Sequence, residues 1–381
     1  MKKYLLSLAV MAMGSILLTS CLGNDSEGGD TPSEFVVTKG ALVINNGSSY
    51  QSIDGSLTYF DTSTSTAEQD VYKKANGKSL GGTPNDVMVY GQKVYIVGSD
   101  ENTIFVLDVR NFKELAKVST TDLLGDAEGS TPRRITAYED KVYFTTYGGY
   151  VAAIDTISFA LKEKYQVGSY PEGLVFGGTS SSMKLYVANS DWSKGNGDIS
   201  VIDLASKSVS TLKYDKVKNP QEILVAGTRL YVLDFGYYDE EGQKDAGVYK
   251  IDGNNVSLVI PNATGMTGFG YYLYTFNDAW GSTTGPSYSV YNVEYDLLST
   301  LNLYGDTSHS IISPAAISID PNTGNIYIAS RPLDPDTGYP SYALPGSVNV
   351  YTNTGEFIGY FNTGVEPHKI DFTYGTAKIY Q

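Results

Sequence analysis

Residues 171–209 read PEGLVFGGTSSSMKLYVANSDWSKGNGDISVIDLASKSV. This stretch contains four short runs rich in apolar and β-branched residues, at 173–176, 184–188, 198–203 and 206–209, and Gly, Ser, Asn or Asp bounds each run. The pattern predicts one four-stranded antiparallel sheet. A unit of about 40 residues cannot cover both faces of such a sheet, so we expect similar units elsewhere in the chain.

Three residue types recur about every 45 residues and indicate that the unit repeats. A tyrosine stands inside six of the second runs, at Tyr95, Tyr143, Tyr186, Tyr231, Tyr274 and Tyr327. An aspartate follows most third runs, at Asp61, Asp108, Asp155, Asp203 and Asp252. A proline precedes most first runs, at Pro84, Pro132, Pro171, Pro220, Pro314 and Pro367. The gap between Pro220 and Pro314 hides one unit that lacks this proline.

Four strands per repeat of this length are typical of a β-propeller blade. Six units run from Pro84 to about Phe361, and a seventh is split between the two ends of the chain. Residues 366–374 match a first strand, whereas 41–46 and 55–61 match a second and a third. We therefore predict an all-β, seven-bladed propeller whose C-terminal strand joins the N-terminal blade. Whether residues 377–380 add a strand is left open, and no segment has convincing helical spacing.

The first 34 residues are predicted to lie outside the propeller, which would span residues 35–381. Lys2 and Lys3 precede an apolar run that is too short to cross a bilayer, and the run ends in LTSC at Cys21. This arrangement resembles a lipoprotein signal peptide over residues 1–20 with lipidation of Cys21; an ordinary secretory signal with a chance cysteine is the alternative. Residues 21–34 would be the lipidated cysteine and a flexible, acidic tether.

The chain is strongly acidic, with a formal net charge of −15. An acidic surface repels nucleic acid, anionic lipid and polyanionic glycans, so we expect none of these as a ligand.

The lengths of the loops predict which face of the propeller binds a ligand. The connections from second to third strands carry the long insertions, at residues 45–55, 189–197, 235–246, 277–287 and 330–346, and they open on the face where the first strands begin. We expect ligand contacts from loop residues and from residues beside the prolines: Asn46, Tyr50, Tyr147, Trp192, Tyr237, Tyr238, Trp280, Arg331, Tyr339, Tyr342, Arg133 and His368. The alternative is that these aromatic residues only pack loop against loop. The strand tyrosines are interpreted as packing between blades.

No motif for haem attachment, zinc hydrolysis or a nucleophilic serine occurs, and the chain has only two histidines. Residues 334–338 resemble the opening of a calcium loop but lack its downstream acidic ligand, so they are interpreted as a turn. We therefore expect no enzyme activity, no catalytic residue, no metal site and no cofactor.

Several segments together resemble a known family: 74–108, 170–176, 184–190, 200–209, 313–330 and the closing TGVEPHKIDF at 363–372. They are similar to lipoprotein propellers with surface-layer-type (YncE-like) repeats, and within these to the surface lipoproteins that capture cobalamin for a TonB-dependent transporter. The resemblance implies an outer-membrane location facing the cell exterior. It also implies a corrinoid as the transported ligand.

Two alternatives stay open at this stage. One is a lactonase-like propeller hydrolase or lyase with a calcium ion held by carboxylates such as Glu172 and Glu222. The other is an accessory lipoprotein that binds protein or glycan.

Overall fold

Seven four-stranded antiparallel sheets pack side by side into a ring, which confirms the predicted seven-bladed β-propeller. The structure is a computed structural model and describes residues 33–191, 195–240, 242–278, 285–306 and 308–379. The predicted signal peptide, Cys21 and the tether up to residue 32 lie outside these residues.

The strands are numbered in chain order. The first three are β1 Ser33–Asn45, β2 Ser56–Asp61 and β3 Thr66–Glu68. Blade 1 contains β4 Pro84–Tyr90, β5 Lys93–Gly98, β6 Thr103–Asp108 and β7 Glu114–Ser119. Blade 2 contains β8 Pro132–Tyr138, β9 Lys141–Thr146, β10 Tyr150–Asp155 and β11 Leu161–Gln166. Blade 3 contains β12 Pro171–Gly177, β13 Lys184–Asn189, β14 Asp198–Asp203 and β15 Val209–Leu212.

The later blades follow the same order from the channel outwards. Blade 4 contains β16 Pro220–Ala226 and β17 Arg229–Asp234, then, after an inserted hairpin of β18 Tyr237–Asp239 and β19 Gly242–Lys244, β20 Gly247–Asp252 and β21 Asn255–Pro261. Blade 5 contains β22 Gly265–Phe269, β23 Tyr272–Asn277, β24 Ser287–Asn292 and β25 Leu297–Thr300. Blade 6 contains β26 Ser313–Ile319, β27 Ile326–Arg331, β28 Pro345–Tyr351 and β29 Phe357–Val365.

Blade 7 closes the ring as predicted. Its order is β3-β2-β1-β30, where β30 is Pro367–Ile379, and Ala41 pairs with Phe372. The open question about residues 377–380 is answered up to Ile379, since β30 continues and pairs with β1 back to Ser33. The propeller strands thus begin two residues before the predicted boundary at residue 35.

The core is divided among the blade interfaces. Within the described residues there are seven buried apolar clusters, one between each pair of neighbouring blades. Five of the six repeated tyrosines are buried, each in a different cluster, and Tyr186 is partly buried in another cluster. The predicted packing role of the repeated tyrosines is therefore confirmed.

Six innermost strands share one local geometry, which we call the proline start. In each, the proline pairs with the end of the next strand and a register shift follows within a few residues. Proline has no N–H to donate, so it suits the first residue of a strand, and the bulge re-aims the side chains that follow it. The six bulges lie around the mouth of the channel.

The opposite face, which we call the plain face, is made of short turns. At four of the repeated aspartates, Asp61, Asp108, Asp155 and Asp203, the side chain accepts hydrogen bonds from backbone N–H groups two or three residues later. These bonds correct one strand boundary. Ser206 belongs to the turn capped by Asp203, so the fourth strand of blade 3 begins at Val209 and not at residue 206.

Two short helices were missed in the sequence, α1 Val71–Asn76 and α2 Thr120–Leu124, together with a 3-10 turn at Ser49–Gln51. They are too short to show a 3.6-residue period, and they connect one blade to the next or lie within a long loop. Along the described chain, no helix is both long and apolar enough to cross a membrane.

Candidate functional site: a pocket on the loop-rich face

A pocket of about 1150 Å³ opens on the face that carries the long connections, which we call the loop-rich face. Blades 2, 4, 5, 6 and 7 supply its lining, partly from the first residues of innermost strands and partly from the connections after β17, β23 and β27. The pocket therefore lies over the channel mouth and extends towards blades 5 and 6. It is at least as large as the roughly 300–1,000 Å³ of typical small-molecule sites.

The side formed by blades 4, 5 and 6 is mainly apolar. Its lining includes Leu233, Phe235, Met266, Phe276, Pro286, Ile312, Pro314, Ile317 and Leu333. Its centre is blade 5, the one unit without a proline start. There β22 begins at Gly265, which pairs with Phe276 without a register shift.

Gly265 is required for this close approach. A Cβ atom at this position would lie 2.1 Å from Cε1 of Phe276, so the Phe276 ring lies against the glycine backbone. Where the other blades place a bulge and polar side chains, blade 5 places a nearly buried ring, 4% exposed, packed on the glycine backbone. This exception in the repeat contributes apolar residues to the pocket lining.

Charged side chains form the other side of the pocket. Arg133, Arg134, Glu222 and Lys369 come from the first residues of β8, β16 and β30. These are proline starts, whose bulges turn consecutive side chains towards the channel mouth.

The Arg133 cluster consists of Arg133, Glu172 and Tyr147. The guanidinium of Arg133 lies 3.0 Å from Oε1 of Glu172 and 4.6 Å from the centre of the Tyr147 ring. The hydroxyl of Tyr147 donates to the same carboxylate, and burial followed by this negative charge raises the pKa of Tyr147. Glu172 is thus fully engaged and bridges blades 2 and 3.

The Arg331 cluster has the same composition between blades 6 and 7, with Arg331, Glu366 and Tyr342. Arg331 donates from Nε and Nη2 to the two oxygens of Glu366 at 2.6 and 2.5 Å, and its guanidinium lies 5.0 Å from the centre of the Tyr342 ring. Such bidentate pairs are geometrically specific. The pair fixes Arg331 beneath Tyr342 at the rim of the pocket.

His368 lines the pocket between these clusters. Its Nε2 atom is buried and has no hydrogen-bond partner in the part of the chain that the structure describes. Burial, and then the positive charges of Arg134 and Arg133, hold the pKa of His368 well below its usual value. The ring is therefore neutral at physiological pH.

The structure brings together part of the predicted ligand set. Five predicted residues line the pocket: Arg133, Arg331, Tyr339, Tyr342 and His368. Tyr147 lies beneath Arg133. Four others are absent from the lining: Asn46, Tyr50, Tyr237 and Tyr238. Trp192 and Trp280 lie outside the described residues.

The four absent residues have local explanations. The backbone N–H of Asn46 donates to the carbonyl of Glu366, which ties the end of β1 to the closing strand. Tyr50 is 99% exposed on the 3-10 turn. Tyr237 and Tyr238 belong to the β18–β19 hairpin, which the sequence analysis treated as an open loop.

Sequence reasoning missed Arg134, Gln221 and Lys369, and the apolar residues Phe235, Met266 and Phe276. The polar ones had a signal, since each stands one or two residues after a proline of the repeat. The apolar ones had none, because Met266 and Phe276 look like ordinary buried strand residues and Phe235 like an ordinary residue at the end of a strand.

The carboxylates of the hydrolase alternative do not form a metal site in this structure. Glu172 binds Arg133 and Tyr147, and Glu222 lies 3.6 Å from Lys369 and 4.0 Å from Arg134. The described ranges contain no group of three or more His, Cys, Asp or Glu residues placed to hold a metal ion.

Comparison with solved structures agrees with the fold. The chain is similar to hydrazine synthase of Kuenenia stuttgartiensis, with 16% identity, a TM-score of 0.53 and coverage of 70% of this chain and 76% of that one. It is also similar to the WD40 repeats of RRP9, with 10% identity, a TM-score of 0.51 and coverage of 74% and 86%. At these identities the likeness concerns the propeller fold alone.

No curated protein matches the chain in sequence. A family model does match, over residues 39–331, and its description is "Domain of unknown function (DUF5074)". The match covers blades 1 to 5, the second half of β1 with β2 and β3 of blade 7, and the first two strands of blade 6. The chain belongs to the DUF5074 family.

Proposed function

We propose that this protein is a lipid-anchored protein of the outer membrane that faces the cell exterior and binds a corrinoid such as cobalamin in the pocket. It then passes the ligand to a TonB-dependent transporter. The membrane anchor is the lipid on Cys21. The protein acts by binding and not by catalysis.

The observation that carries this proposal is the composition of the pocket. One side is apolar around Phe276, the opposite side is charged and rich in hydrogen-bond donors, and Tyr339 and Tyr342 stand exposed at the rim. A corrin is a broad, flat ring fringed with amides, so it presents faces for aromatic contact and edges for hydrogen bonds. The large volume of the pocket suits such a ligand.

The resemblance of the repeats to cobalamin-capturing lipoproteins supports the ligand, and the signal-like N-terminus supports the location. Trp192 and Trp280 stay predicted contacts, since they belong to connections that open on the loop-rich face.

The test is a titration of cyanocobalamin against the purified chain carrying Cys21→Ser, followed by calorimetry and by co-elution of the corrin absorbance in gel filtration. We expect binding, and a loss of about 1–3 kcal/mol of binding free energy for Tyr339→Ala and for Tyr342→Ala. Tyr50→Ala is the matched control, because Tyr50 is also an exposed loop tyrosine but lies outside the pocket. Absence of binding by the parent chain would refute the corrinoid proposal.

The location is tested separately. Cys21→Ser should release the protein from outer membranes that retain the parent chain, because the acidic body offers no attraction to anionic lipid. Retention of the variant on washed membranes in high salt, without the transporter, would contradict a lipid anchor.

A further inference from the structure

Four cations line the pocket, and they differ in how their donors are used. Arg133 and Arg331 are each held by a carboxylate through close contacts of 2.5 to 3.2 Å. Arg134 and Lys369 are not. Arg133 and Arg331 thus have a structural role, whereas Arg134 and Lys369 keep hydrogen-bond donors that no carboxylate uses.

The side chain of Arg134 makes a single hydrogen bond in the described chain, from Nη1 to the backbone carbonyl of Asn85 at 3.1 Å. Its Nη2 lies 4.0 Å from Oε1 of Glu222, and its Nε lies 3.9 Å from Oε2 of Glu172, both beyond hydrogen-bond distance. Nε is buried without a partner. A guanidinium carries five donors, so most of its capacity is unmet.

Lys369 is in the same position. Its Nζ lies 3.6 Å from Oε1 of Glu222 and makes no hydrogen bond among the described residues. One carboxylate oxygen is therefore shared, at long range, by two cations that come from different blades. At these distances Glu222 accepts a hydrogen bond from neither cation.

Two more carboxylates lie within electrostatic reach of these cations: Asp86 of both Arg134 and Lys369, and Asp371 of Lys369. Each uses its oxygens on two backbone N–H groups: Asp86 accepts from Val87 and Ile135, and Asp371 accepts from Val89 and Phe372. They are therefore committed to joining innermost strands.

We infer that Arg134 and Lys369 form an anion subsite of the pocket, which binds an oxyanion group of the ligand such as a phosphate or a carboxylate. The inference deepens the proposed binding function and rests on the pocket being a ligand site. An oxyanion placed between the two cations would accept the hydrogen bonds that Glu222 leaves unmade. Hydrogen bonds between charged groups are short and strong, so the group would orient the ligand relative to the apolar side at Phe276.

The probes are inorganic sulfate, methyl phosphate and acetate, titrated against the full chain carrying Cys21→Ser at low ionic strength with chloride as the balancing anion. We expect saturable binding of sulfate by calorimetry, and at least about tenfold weaker binding in Arg134→Gln and in Lys369→Gln. A matched pair on the plain face, Arg110→Gln and Lys162→Gln, should bind sulfate as the parent does. The rank of methyl phosphate and acetate distinguishes a phosphate ligand from a carboxylate ligand.

Glu222→Gln provides a test in the opposite direction. It removes the carboxylate that competes for both cations, so sulfate should bind more tightly by several-fold or more. This variant stays informative even when Arg134→Gln does not fold. Weaker or unchanged sulfate binding in Glu222→Gln, or equal binding by the parent and the Arg134 and Lys369 variants, would overturn the inference.

The two proposals fail separately. A parent chain that binds cyanocobalamin but no small oxyanion refutes the anion subsite and leaves the corrinoid proposal standing. A parent chain that binds sulfate through Arg134 and Lys369 but no corrinoid supports the subsite and refutes the corrinoid.

Discussion

Six innermost strands carry a proline as their first or second residue together with a bulge, whereas β22 begins at Gly265 with neither. The proline starts carry buried ion pairs and polar caps that join neighbouring blades. The Gly265 start carries Phe276, which lies in the apolar side of the pocket. The proline starts thus hold neighbouring blades together and supply the charged side of the pocket, and the apolar side is centred on the one start without a proline.

The largest effect is expected from removing a proline start with its whole strand. Deletion of residues 366–381 takes away β30, which pairs along the full length of β1. The remaining chain would be an open ring with a long exposed edge. We therefore expect it to aggregate and to unfold without a cooperative transition. Thermal melts and gel filtration measure this, with deletion of residues 380–381 as the control. A stable monomer after the long deletion would contradict closure by β30.

The ion pair at the start of β30 should give the next effect. Arg331→Ala leaves Glu366, which is 11% exposed, without its bidentate partner, and a broken buried pair costs about 3–5 kcal/mol. We expect a loss of unfolding free energy near the lower end, measured by urea denaturation. The double variant Arg331→Met/Glu366→Leu should recover most of it, because no charge is left unpaired. A double variant as unstable as the single one would show that packing, and not charge, is at stake.

The proline starts also predict a dependence on pH. Asp234 accepts backbone N–H bonds from Lys218 and Asn219, which precede Pro220, and burial raises its pKa to about 6. Burial likewise raises the pKa of Asp371 to about 6. A raised pKa means that the folded state binds a proton on this carboxylate more tightly than the unfolded state does. The stabilisation is therefore complete below about pH 4 and is lost as the pH rises through 6.

We expect each of the two groups to lower the unfolding free energy by about 1–3 kcal/mol between pH 4 and 7. Urea denaturation across this range measures the slope. Asp234→Asn and Asp371→Asn should each flatten it, whatever they do to absolute stability. The aspartates of the plain face, such as Asp155, have lowered pKa values because they accept N–H bonds from the turn. Their contribution to the unfolding free energy therefore changes at a lower pH than that of Asp234 and Asp371. A slope unchanged in both variants would contradict this assignment.

The smallest effect is expected at the exceptional start itself. Gly265→Ala forces the Phe276 ring to move, and an added methyl in a packed site costs about 1–3 kcal/mol. The displaced ring should also weaken ligand binding, measured with cyanocobalamin. Gly268→Ala in the same strand is the control, because its nearest neighbour is a flexible Leu224 side chain at 3.2 Å. Gly265→Ala/Phe276→Leu should restore stability; failure to do so would place the strain in the backbone.

The amino-acid sequence by itself determined the number of blades, the closure and the face with the long loops. These features follow from local rules, since alternating apolar runs specify strands, turn residues bound them and a repeat of fixed length must stack. The sequence also showed that one unit lacks the proline. The two helices and the later start of β15 were missed because each involves too few residues to change the periodicity of the sequence.

Which residues share the pocket depends on how the blades are arranged in the ring. Arg134, Glu222 and Lys369 lie far apart in the chain and meet because three blades converge on one channel. Phe276 looks like any strand residue, and only the folded chain shows that its ring packs on the Gly265 backbone at the edge of the pocket. Conversely, Tyr50 is an aromatic loop residue like the predicted ligand contacts, but it is 99% exposed and lies outside the pocket lining. The alternation of residues along a strand determines on which face of the sheet a side chain lies. The arrangement of the blades in the ring determines which other residues surround that side chain.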